Sequence, residues 1–140
     1  MPYSDLVLSA VYDRTAGRCH ICHKKLAYTN HGKSGERGAW HVEHSHPRAR
    51  GGTSHLNNLY PACIKCNLEK GTIISRTARG WNARKRAPLS RERLRQSREA
   101  NTLGGGLTGV CLGAMVGGPP GALLFGLAGL FIGSNVDPEA

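Results

Sequence analysis

Two Cys-x-x-Cys pairs, Cys19/Cys22 and Cys63/Cys66, constrain this chain more than any other feature, with 40 residues lying between them. A two-residue spacing turns two thiolates toward one point. Two such pairs complete a closed, tetrahedral, all-thiolate site, the donor set of a structural zinc. The ion would close the intervening loop and supply folding energy. The chain needs that help, because aromatics make up only 6% of it and 19 of its 140 residues are glycine, which leaves little material for a core. Two disulfides are the other use of four cysteines. The N-terminus argues against them: it has no basic n-region, and Asp5 and Asp13 interrupt its only apolar run. No signal peptide is therefore expected, and the head is expected in a reducing cytosol, where paired cysteines favour metal. Cys111 stands alone in an apolar stretch and reads as a small apolar residue. A closed site has no open position for substrate, so any catalysis has to come from elsewhere.

The local pattern places short elements around these pairs. Ser4 caps a helix with Asp5 in its first turn, and Leu6, Val7, Ala10 and Val11 follow a helical stripe that Gly17 ends. Tyr28 to Gly38 reads as a loop and Ala39 to His44 as a strand, with Trp40 and Val42 in alternation. Pro47 and Gly51-Gly52 turn the chain, and Leu59 to Ala62 reads as a second strand. A helix is expected from near Asn67 to Gly71, then a loop, then a helix over 91–100 opened by Pro88 and Ser90. His20, His23 and His31 read as exposed bystanders beside the first cysteine pair.

Between the pairs runs Trp40-His41-Val42-Glu43-His44-Ser45-His46-Pro47, then Gly51-Gly52, then Asn57-Asn58-Leu59. The second pair is followed by Asn67 and by Lys70-Gly71. In this order, over residues 14–71, the chain resembles the HNH endonuclease family. The resemblance implies an α+β fold: a ββα-metal domain in which two short strands and a helix hold a divalent ion, braced by the cysteine-bound zinc. It makes His44 the general base, Asn58 the residue that braces the loop and orients His44, and Glu43 and Asn67 the ligands of the ion.

Residue chemistry supports those roles. Phosphodiester hydrolysis needs an activated water and a cation on the phosphate. Neutral imidazole is a suitable base near pH 7, and oxygen donors favour magnesium or manganese. His41 and His46 are the other histidines that could serve as base. Two positions depart from the commoner family pattern, Glu43 in place of Asp and Asn67 in place of His. Adjacent strand residues point to opposite faces, so Glu43 and His44 can serve one site only at a strand end or bulge.

Charge adds a partner. The chain holds 19 Lys+Arg against 9 Asp+Glu, formally +10. Residues 76–99 alone carry 9 basic and 2 acidic side chains, directly after the nuclease-like stretch. Lys70, Arg76, Arg79, Arg84, Lys85 and Arg86 are expected to meet a nucleic-acid backbone, DNA being favoured. A solvated linker or a grip on anionic lipid are the alternatives.

The rest is unlike the head. No charged residue occurs from Ala100 to Val136, and Gly105, Gly109, Gly113, Gly117 and Gly121 recur every fourth position before Gly129 and Gly133 repeat the spacing. Small-x-x-x-small spacing lets helices approach closely, so residues 103–133 are expected to associate with a membrane or to form a self-associating glycine-zipper hairpin turning at Pro119-Pro120. The organisation expected is a nuclease domain over 1–75, a basic connector over 76–100 and an apolar tail over 101–140, with the head cytoplasmic. The function expected is metal-dependent hydrolysis of DNA. The rivals are a non-catalytic, zinc-stabilised nucleic-acid-binding module and a membrane-associated toxin whose tail is primary.

Overall fold

Two short strands, β1 (Trp40–His44) and β2 (Leu59–Cys63), form the antiparallel centre of a computed structural model, which describes residues 3–102 together with Leu123 and Leu127. The register pairs Trp40 with Cys63, Val42 with Pro61, Glu43 with Tyr60 and His44 with Leu59. Pro61 has no N–H to give to a ladder, and a strand with one neighbour tolerates this. Helix α1 (Asp5–Asp13) packs on β2, and α2 (Ile64–Lys70) leaves β2 directly with Cys63 as its N-cap. The expected start near Asn67 is therefore three residues late; Cys66 lies inside the helix and is buried there.

Residues 76–81, expected as loop, belong to a further helix, α3 (Ser75–Trp81). Its seven residues offer no apolar stripe to read. It is fixed instead by burying Ser75 and Ala78 and by packing on α2. A fourth helix, α4, occupies 91–102. The chain divides into two compact units, Met1–Arg91 and Glu92–Ala140. Within the second, Arg95 pairs with Glu92 and Glu99 along the face of α4, the i,i+3 and i,i+4 support expected of a charged helix.

The core of the first unit is small. Val11, Cys19, Ile21, Leu26, Trp40, Leu59, Ala62, Cys66 and Ala78 are buried, and two of these nine are cysteines of the pairs. Trp40 is its largest member. Its indole Nε1 donates to the Ala27 carbonyl at 3.0 Å, which ties β1 to the segment after the first cysteine pair. Tyr12 packs 5.4 Å from Trp40 and donates its hydroxyl to the Leu26 carbonyl at 2.7 Å. Two aromatics with polar tips thus fasten α1 and the loop onto the sheet.

Membrane association through residues 103–133 is corrected here. Among the described residues no helix is long and apolar enough to cross a membrane. The glycine-zipper hairpin and its self-association fall, apart from Leu123 and Leu127, outside the described residues.

Candidate active site

The four paired cysteines converge. Their sulfurs all lie within 4.8 Å of one another, and Cys22 and Cys63, from different pairs, stand 3.8 Å apart. All four are free thiols. A disulfide requires about 2.05 Å, whereas a tetrahedron of Zn–S bonds near 2.3 Å has edges of about 3.8 Å. The cluster therefore has the size of a zinc site. The sulfurs also perturb one another as a shared cluster does. Cys22 is pushed far down by hydrogen bonds from Cys19 and Cys63, while Cys19 is driven up by Cys22, and Cys63 by Cys19 and Cys22. One thiolate held by its neighbours' protons is the arrangement that a dication replaces. Among the described residues this is the only grouping of three or more Cys, His, Asp or Glu side chains close enough to share an ion.

His20, inside the first pair, is not the exposed bystander expected. It is fully buried, its ring stacks on Tyr60 with centroids 4.9 Å apart, and its Nε2 lies 2.6 Å from Oε2 of Glu43. Glu43 is itself 3% exposed. Its Oε1 lies 2.5 Å from the Lys70 ammonium, and its Oε2 accepts from the Ser75 hydroxyl at 3.1 Å. Burial works to raise the Glu43 carboxyl, but His20 and Lys70 together hold it below the usual carboxylate range. Burial pushes the His20 pKa down against the pull of Glu43. Lys70, expected on a solvated helix face or against phosphate, is 3% exposed and also donates to the His44 carbonyl at 3.2 Å.

The candidate base stands at the end of β1. His44 is half-buried, and its Nε2 lies 3.1 Å from the Ser54 hydroxyl. Burial, aided by the charges of Arg48 and Lys70, pushes its pKa down against the pull of Glu43. Glu43 and His44 take different partners, as strand alternation requires. Asn58 clamps the loop between the strands. Its Oδ1 accepts from the His46 N–H at 2.7 Å, and its Nδ2 donates to the carbonyls of His46 and Thr53 at 2.9 and 2.7 Å. Gly52 closes the same loop so tightly that a Cβ there would lie 1.8 Å from the His46 carbonyl oxygen. Gly52→Ala is therefore expected to lower stability by about 1–3 kcal/mol, since backbone rather than a flexible side chain has to move. Urea denaturation checks this, and an unchanged midpoint would show that the loop yields freely.

Glu43 and Asn67, the donor pair expected for a catalytic ion, each have protein partners here. Both Glu43 oxygens are taken, with an ammonium group on one of them. The Asn67 amide nitrogen faces His41 Nδ1 at 3.5 Å instead. Arg76 and Arg79 line a depression beside His46 and Asn58, while Arg84, Lys85 and Arg86 are exposed. The Arg86 carbonyl lies 3.0 Å from His23 Nε2.

Comparison with known proteins places this geometry. Residues 19–72 match the family model described as HNH endonuclease, so the chain carries an HNH endonuclease domain that contains the four-cysteine cluster. No curated protein and no solved structure matches the chain.

Proposed function

We propose that this domain hydrolyses phosphodiester bonds in nucleic acid, DNA being favoured, with His44 as the general base. The observation that carries the reading is the half-buried His44 imidazole, kept neutral at the end of β1 inside the stretch that matches the nuclease family. A neutral ring nitrogen can take a proton from water as the water oxygen attacks phosphorus. The P–O bond to the leaving sugar oxygen then breaks. Ser54 steadies the ring, and Lys70 holds the His44 carbonyl, fixing the backbone that carries the base. Asn58 acts through the loop.

In a plasmid-nicking assay, His44→Ala is expected to reduce the rate by about 10²–10⁴-fold while leaving DNA affinity in place. Running the assay with magnesium, with manganese and with no added ion tests the divalent ion proposed for Glu43 and Asn67. Cleavage that needs no added ion would remove it. The enclosure of Glu43 favours a second reading, a zinc-stabilised module that binds nucleic acid without cutting it. Wild-type protein that binds DNA and never nicks it with any divalent ion would establish that module in place of the enzyme.

A further inference from the structure

Next to the loop that follows His44 lies a depression of about 450 Å³ whose wall includes Ser45, His46, Asn58, Tyr60, Arg76 and Arg79. No Asp or Glu lines it. Arg79 is partly enclosed there, and its Nε is buried with no hydrogen-bond partner among the described residues. A third guanidinium stands behind the wall. Arg14 lies 4.0 Å over the Tyr60 ring and donates to the Leu59 carbonyl at 2.9 Å and to the Tyr60 hydroxyl at 2.8 Å, and also to the Leu56 carbonyl. Its own donors are therefore spent on the fold while its charge remains. The result is a concave, cationic, acid-free surface with the Arg79 side chain in its wall.

We propose that this depression is a subsite for a non-scissile backbone phosphodiester, taken by the Arg79 guanidinium with Arg76 at the rim. The proposal rests on the nucleic-acid reading above and narrows it from a long run of basic residues to one built pocket. A guanidinium presents donors in a rigid fork that matches two phosphate oxygens, which a point charge does not. Position supports the assignment. Ser45 and His46 follow the candidate base directly, and Asn58 clamps His46, so a phosphate held here fixes the register of the strand beside His44. The exposed Arg84, Lys85 and Arg86 have no such enclosure and contribute charge alone.

Binding of the full chain to a short fluorescent DNA duplex, measured by anisotropy without added divalent ion, tests this apart from catalysis. Arg79→Ala is expected to weaken binding about tenfold and to flatten the slope of log K against log salt by about one. Arg79→Lys keeps the charge and should recover the salt slope but not the affinity. Lys33→Ala, in an exposed loop, should change neither. Melting curves confirm that the variants are folded. If Arg79→Lys binds as wild type does, bulk charge explains the binding and the subsite is overturned. Inorganic phosphate at matched ionic strength is expected to compete at the pocket and bring wild type toward the Arg79→Ala level; phosphate that weakens wild type and Arg79→Ala equally would overturn the subsite. Wild type that binds neither DNA nor RNA would overturn the nucleic-acid reading itself, a result distinct from unchanged variants.

Discussion

Removing the ion from the four-cysteine cluster is expected to unfold the first compact unit, not merely to loosen it. Among the described residues the buried hydrophobic cluster has nine members, two of which, Cys19 and Cys66, belong to the four-cysteine site. A domain of this size is stable by about 5–15 kcal/mol in total, and a structural zinc site supplies about 10–16 kcal/mol of apparent binding energy. The second figure matches or exceeds the first, so the apo chain has no reserve. The cluster also joins distant parts of the chain: one pair lies between α1 and β1, and the other spans the end of β2 and the first turn of α2. Full-length protein treated with a strong chelator should lose its far-UV helical signal and release one zinc for every four thiols that become reactive. Cys63→Ser should behave in the same way without chelator. A chelated protein that keeps its spectrum and melting temperature would show that the core suffices alone.

This dependence is also the part of the fold most legible in the sequence, because two identical spacings encode the cluster without reference to packing. The strands were readable for a related reason. Trp40 and Val42 alternate, and turn residues bound both segments. Where the chain is held by single contacts, pattern reading fails. His20 carries no periodicity, and its partner Glu43 is far away in the sequence, so nothing local marks it as buried. Lys70 reads as a helix-surface cation until α2 is docked on β1 and brings it to the same carboxylate. Helix α3 is Arg-rich and only seven residues long, and what fixes it is the burial of Ser75 and Ala78, neither a strong apolar signal. For the candidate site, the resemblance to the HNH family singled out His44 and Asn58, and the structure shows Asn58 bonded to the backbone of His46 and Thr53. The partners of Glu43 depend on tertiary packing, and they set what that residue can do.

The buried cluster around Glu43 gives the second large effect. Lys70→Met keeps the length of the side chain and removes its charge. Glu43 would then stay buried with only His20 and Ser75 as partners. Breaking a buried pair by removing one partner costs about 3–5 kcal/mol, because a charge is left without compensation. That is a large share of the stability of a small domain, so a marked drop in the urea midpoint at pH 7 is expected. Glu43→Gln with Lys70→Met removes both charges and should recover much of the loss, giving a coupling energy well outside the additive range. The cycle also decides between two roles for Lys70. If its ammonium served mainly to hold phosphate, Lys70→Met would lower DNA affinity and leave the midpoint in place. A 2.5 Å approach to Glu43 at 3% exposure leaves no room for that role, so the loss should fall on stability first. Because Lys70 also holds the His44 carbonyl, cleavage should decline under conditions where the variant is still folded. A Lys70→Met protein with wild-type stability would mean that Glu43 is solvated or protonated in solution and open to the divalent ion after all.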